Sequence, residues 1–176
     1  PYMRFYELEA LCALGEQKHV LKEIRDYWGG MLNLGATSFW EKYNPVEGNP
    51  ELLSMYGRPY GKSLCHAWGA SPIYLLGKYY LGVKPASPGY ETYYIEPFLG
   101  DLEWMEGDVP TSEGRIHIFC STREIRVKSD SGTGTLRFKS LSKPVCKNVL
   151  IKAVASSEYE ITIPKNQEIV VKYVNA

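Results

Sequence analysis

Helices in one segment and a β-sandwich in the next, an α+β chain divided along its length, is the fold class this sequence predicts, and three observations predict it. Apolar residues recur at three- and four-residue spacing as far as Asn33, the period of an amphipathic helix. After Gly82 the period falls to two, in short runs rich in β-branched and aromatic residues. Between them lies a stretch dense in Gly, Pro and Asn in which neither period holds. The expected domains are residues 1–83, helical, and 84–176, all β, with Pro85, Pro88 and Gly89 breaking both patterns at the boundary.

Phe5, Leu8, Leu11, Cys12 and Leu14 form the stripe of a first helix over 3–14, which Gly15 ends. Val20, Leu21, Ile24, Tyr27, Trp28 and Leu32 carry a second from Gln17 to Asn33, weakened late by Gly29 and Gly30. The two make a hairpin with a very short connection. Gly35 to Gly61 is a long loop, and loops of that length in compact domains are often functional. The spacing of Leu64, Trp68, Ile73, Leu75, Leu76 and Tyr79 predicts a third helix over 63–81, kinked at Pro72.

Strands are predicted at 92–96, 102–106, 115–120, 124–128, 134–138, 149–154, 158–163 and 169–174, a set suited to a sandwich or jelly roll. Gly132-Thr133-Gly134 is expected to be a hairpin turn, and Arg123, Arg126 and Lys128 the solvated edge of a strand. Trp28, Trp68 and Trp104 are expected in the core. No cluster of exposed aromatics stands out in the strands, so the sandwich is expected to serve by packing.

Three helices cannot bury the aromatic surface they carry. The sequence therefore predicts partner helices upstream of residue 1. The absence of an initiating methionine before Pro1 fits the same expectation, a C-terminal piece of a longer protein.

With 20 basic and 20 acidic residues interspersed, the net charge of zero offers no footprint for nucleic acid or an anionic membrane surface. No apolar run reaches the roughly 18 to 20 residues of a membrane span, and no signal-like n-region opens the chain. Cys12, Cys65, Cys120 and Cys146 lack the close spacing of zinc or redox motifs and are expected to be free, buried thiols. His19, His66 and His117 have no ligand spacing, so neither metal nor cofactor is expected.

The candidate chemistry lies at Trp40 and Glu41, directly after the second helix. A sugar offers an apolar C–H face to an indole, and cleaving its glycosidic bond needs a carboxyl group that moves protons. Tyr43 adds a second aromatic ring to the segment. On the residues alone, Glu41 reads more often as a surface carboxylate beside a packed aromatic, and His66 as a helix histidine satisfied by a neighbour.

Three ordered segments narrow this choice: Met31-Leu32 with Gly35-Ala36-Thr37-Ser38-Phe39-Trp40-Glu41, then Ser63-Leu64-Cys65-His66-Ala67-Trp68-Gly69-Ala70, then Gly82-Val83-Lys84-Pro85 leading to Pro88-Gly89-Tyr90, Ile95 and Pro97. Together they resemble the C-terminal end of bacterial α-L-rhamnosidases, the family-78 glycoside hydrolases. That resemblance implies the last helices of an (α/α)6 toroid followed by a β-sandwich. It implies Glu41 as general base, Trp40 in the sugar subsite and His66 in contact with the bound sugar. Ser38 stands for a second threonine of the family pattern, and Cys65 for an asparagine. The family's general acid belongs to a segment far upstream, so the resemblance also implies a partner in the missing part of the same enzyme. The reaction would be inverting, with the two carboxyls about 6.5 to 9.5 Å apart to admit a water. Tyr56, Arg58 and Tyr60 are expected on the leaving-group side, from their place in the long loop. The implied substrate is a rhamnose-containing oligosaccharide or glycoside. A related toroid glycosidase for another sugar, and a non-catalytic carbohydrate-binding or structural module, are the alternatives.

Overall fold

The structure, a computed structural model, describes residues 3–46 and 51–174. The chain forms two compact units, the first ending at Leu75 and the second starting at Leu76. The first is helical and looped; the second holds two five-stranded sheets. The predicted division into helices and then strands is therefore present.

In the first unit the expected hairpin consists of α1 (Arg4–Ala13) and α2 (Gln17–Glu23). Leu8 and Cys12 of α1 are buried with Val20 and Leu21 of α2, the stripe that the spacing marks out. An ion pair of 2.8 Å from Arg4 to Glu23 ties the helices across the hairpin. The helical path continues through a π-helical turn, Ile24–Trp28, into α3 (Gly29–Asn33). Trp28 is buried as expected, and its indole N–H donates to the Gly69 carbonyl at 2.8 Å.

The predicted third helix starts later than its apolar spacing suggests. Residues 63–66 are not helical, and His66 has extended backbone (φ −115°, ψ 101°). A 3-10 turn, Ala67–Gly69, precedes α4 (Ser71–Leu75), and Leu76–Tyr80 is a further π-helical turn. Pro72 therefore kinks nothing: it sits in the first turn of α4, where a missing N–H costs little. Trp68, expected in the core, is 54 % exposed.

Among the described residues the second unit contains ten strands rather than eight: β1 (Val83–Pro85), β2 (Thr92–Ile95), β3 (Trp104–Thr111), β4 (Gly114–Ser121), β5 (Glu124–Ser129), β6 (Thr133–Lys139), β7 (Val145–Cys146), β8 (Lys152–Ala155), β9 (Glu158–Ile163) and β10 (Glu168–Lys172). The two additions, β1 and β7, are too short to show a period. One sheet has the order β1-β2-β6-β9-β8, the other β3-β4-β5-β10-β7. All pairings are antiparallel except β2 with β6. Alternation supplies the core: Tyr93, Ile95, Leu136, Ile161 and Ile163 are buried from one sheet, and Ile116, Ile118, Ile125, Val127, Ile169 and Val171 from the other.

Gly132 does not turn a hairpin, because β5 and β6 belong to different sheets. The segment is a crossing between them. Gly132 takes φ 42°, and a Cβ there would collide with the carbonyl oxygens of Tyr90 and Glu91.

Arg126 and Lys128 likewise lie on β5, a central strand with β4 and β10 on its two sides, and not on an edge. The register explains a further departure from expectation. With Phe119 opposite Glu106 and Arg126, and Ile118 opposite Val127, the inward Ile118 forces Phe119 outward. Trp104 is accordingly 58 % exposed, stacked on Phe119 with centroids 6.4 Å apart and planes 18° from parallel. The Arg126 guanidinium lies 4.2 Å from the Phe119 ring centre. A partly exposed aromatic pair thus exists where none was expected.

Of the cysteines, only Cys12 and Cys120 are buried; Cys146 is half-buried and Cys65 exposed, all four being free. Among the described residues no helix is long and apolar enough to cross a membrane.

Candidate active site

The site begins with the way the second helix stops. The Ala36 N–H donates to the Met31 carbonyl at 3.0 Å and the Gly35 N–H to the Leu32 carbonyl at 2.9 Å. With Gly35 at φ 86°, these two bonds make a Schellman cap, and the buried Met31 and Ala36 provide its apolar closure. The Met-Leu-x-x-Gly-Ala order is the local chemistry of that cap. It releases the chain at Thr37 in a fixed direction.

Beyond the cap, the two segments singled out by motif lie side by side. The Glu41 N–H donates to the Ser63 carbonyl at 2.9 Å and the His66 N–H to the Phe39 carbonyl at 2.8 Å. The Ser38 hydroxyl adds a bond to the Leu64 carbonyl. This pairing is what keeps 63–66 out of a helix: a helix there would withdraw the backbone groups that hold Phe39 to Glu41.

Glu41 is nearly buried, at 8 % exposure. Its Oε2 accepts the Ser63 N–H at 3.1 Å, and its Oε1 accepts the Tyr56 hydroxyl, also at 3.1 Å. The Ser63 N–H is the main reason its carboxyl is held below the usual carboxylate range. Burial opposes that shift, and the Tyr56 hydroxyl and the charge of His66 reinforce it. At neutral pH the group is therefore an anion with one donor on each oxygen.

Trp40 is 5 % exposed, and the Lys62 ammonium lies 4.5 Å from its ring centre. In this chain the indole is covered and not an open stacking face. Tyr43 packs edge-on against Tyr27 at 5.3 Å and 82°, with its N–H donating to the Tyr27 hydroxyl at 3.3 Å. His66, half-buried, follows directly on the paired segment. Arg58 and Tyr60 stand exposed on and after the Met55–Arg58 turn, Tyr60 at 81 %.

The structure thus brings Ser63, Tyr56 and His66 to Glu41. Sequence reasoning missed the Ser63 backbone donor and the Lys62 cover, because both depend on a pairing across more than twenty intervening residues that no local signal announces. A cleft of about 490 Å3, walled by Arg25, Trp28, Met31, Thr37 and Phe39 among others, opens beside the helix cap, and Glu41 is not one of its walls. Among the described residues no group of three or more His, Cys, Asp or Glu could hold a metal ion.

No protein-family model matches the chain. Among curated proteins it is 33 % identical over 104 residues to an α-L-rhamnosidase of Alteromonas sp. (strain LOR), which covers 56 % of this chain and 10 % of that one. Among solved structures it is similar to a GH78 family rhamnosidase of Bacillus sp. GL1, at 37 % identity over 73 % of this chain and 12 % of that one, with a TM-score of 0.55. It also superposes on the α-L-rhamnosidase of Streptomyces avermitilis complexed with L-rhamnose, covering 93 % of this chain and 17 % of that one at 14 % identity and a TM-score of 0.73. The α-L-rhamnosidase of Dictyoglumus thermophilum matches 97 % of this chain and 20 % of its own at 18 % identity and a TM-score of 0.69. These last two likenesses are of fold alone. The chain spans only about a tenth to a fifth of the length of these relatives. The resemblance carried by the motifs, to the C-terminal end of α-L-rhamnosidases, is borne out, and the fold class with it.

Proposed function

We propose that this chain is the C-terminal part of an inverting α-L-rhamnosidase in which Glu41 is the general base. The observation that carries the reading is the state of that carboxylate: ionised, nearly buried, and held by one donor on each oxygen. A carboxylate oxygen has two acceptor sites, so each oxygen of Glu41 keeps one for a water molecule. A general base must be charged at working pH and fixed in direction, and both conditions follow from the Ser63 and Tyr56 bonds. The similarity to rhamnosidases supports rhamnose as the sugar.

Residues 1–83 then supply the last helices of an (α/α)6 toroid and residues 84–176 its β-sandwich. Trp40 helps form the sugar subsite, and His66 hydrogen-bonds a ring hydroxyl. Arg58 and Tyr60, exposed on the loop, line the leaving-group side. The general acid belongs to the upstream part of the same enzyme, and the substrate is a rhamnose-capped oligosaccharide or glycoside. Glu41 accepts a proton from water as the oxygen attacks the anomeric carbon, while the upstream acid protonates the departing oxygen.

Glu41→Gln in the complete enzyme is close to isosteric: its carbonyl can still accept the Ser63 N–H and its NH2 can donate to a reoriented Tyr56 hydroxyl, but it cannot take a proton. Turnover of an aryl α-L-rhamnoside is expected to fall by about 10² to 10⁴, with the melting temperature little changed. Near-normal turnover would reject the assignment of the base.

A further inference from the structure

We infer that Tyr56 is a positioning residue for Glu41, kept in a strained backbone so that its hydroxyl fixes one carboxylate oxygen; this rests on the proposed role of Glu41 as base. Met55 and Arg58 exchange both backbone bonds, Met55 N–H to Arg58 O at 3.1 Å and Arg58 N–H to Met55 O at 3.0 Å, closing a tight two-residue turn. Its central residues, Tyr56 at φ 52° and Gly57 at φ 71°, are both left-handed. Such a turn favours Asn-Gly or Asp-Gly, because a short polar side chain or none tolerates that backbone. An aromatic residue at the first central position is disfavoured.

Tyr56 is 75 % exposed, and its hydroxyl donates to Glu41 Oε1 at 3.1 Å. Fold stability alone would favour asparagine here, whereas only a long side chain with a terminal donor reaches the carboxylate. Strain retained at a candidate catalytic group points to function. With Ser63 N–H on Oε2 and Tyr56 on Oε1, the plane of the carboxylate is fixed about its last torsion, which directs the remaining acceptor sites. Removing Tyr56 leaves Oε1 free to turn and weakens the hold that keeps the group ionised.

Three variants of the complete enzyme test this, assayed for kcat, KM and pH profile on an aryl α-L-rhamnoside, with thermal melting alongside. Tyr56→Phe is expected to lower kcat about tenfold, the scale of one hydrogen bond to a charged group, and to move the acid limb of kcat/KM to higher pH. Tyr56→Asn is expected to raise the melting temperature while lowering kcat, a pairing that a merely structural tyrosine would not give. Glu41→Gln, run beside them, separates the two ideas. If it is inactive while Tyr56→Phe keeps wild-type kcat and acid limb, the positioning role is wrong and the base assignment stands. If Glu41→Gln is active, the base assignment itself fails. A Tyr56→Phe enzyme that loses kcat without any displacement of its acid limb also overturns the inference.

Discussion

Glu41 carries a pH dependence whose sign follows from its environment. Its folded carboxyl is held below the ordinary value, chiefly by the Ser63 N–H and with help from Tyr56. The anion therefore binds its donors better than the acid does, and the resulting stability is fully present above the unfolded value and lost as pH falls through the folded one. The same titration switches off a general base. The acid limb of kcat/KM is expected below the ordinary glutamate range, and measuring the profile on an aryl α-L-rhamnoside checks it. A limb near pH 6 would mean that some other group controls the rate. That Glu41 was worth singling out was legible, since a carboxylate directly after Trp40 is a local pattern. The donors that tune it were not. Ser63 acts through its backbone, Tyr56 through a left-handed turn, and a phenol in that conformation contradicts the turn preferences that a sequence reading relies on.

Helices and strands were legible in proportion to how far local period decided them. The hairpin of α1 and α2 follows its apolar stripe, and β2, β4, β5 and β9 fall within a residue or two of where alternation places them. Residues 63–70 carry apolar residues at helical spacing, yet hydrogen bonds from His66 and Glu41 hold their start out of a helix, and a pairing across the long loop outweighs a weak local preference. The passage from β5 to β6 makes a similar point. Gly132-Thr133-Gly134 has a hairpin's composition, but the sheet order sends the chain across the sandwich, and Gly132 passes close under the carbonyls of Tyr90 and Glu91. Gly132→Ala meets both a positive φ and a blocked Cβ. It is expected to cost about 2 to 3 kcal/mol in urea unfolding of the sandwich transition, whereas a neutral result would mean that this crossing adjusts freely.

At the scale of the molecule, the two units present their surfaces differently. The second buries a continuous set of aliphatic side chains between its sheets, as an independent sandwich does. The first leaves Leu14 at 79 % exposure, Leu32 and Ile73 each at 67 %, Met3 at 66 % and Tyr6 at 56 %, spread over α1, the end of α3 and α4. Single exposed apolar residues are ordinary, but several on a few short helices are the surface that neighbouring helices of a toroid would cover. The proposal of an upstream helical portion therefore has a physical signature apart from catalysis. Produced alone, the 176-residue chain is expected to bind a hydrophobic dye strongly and, on the proposal that the general acid lies upstream, to show no rhamnosidase activity. Joined to the upstream helices, it should lose most of that dye binding as the exposed leucines and Ile73 gain neighbours. Weak dye binding by the isolated chain, together with one sharp cooperative melting transition, would show a helical unit complete in itself, and the toroid reading would then have to be abandoned even if Glu41 proved essential.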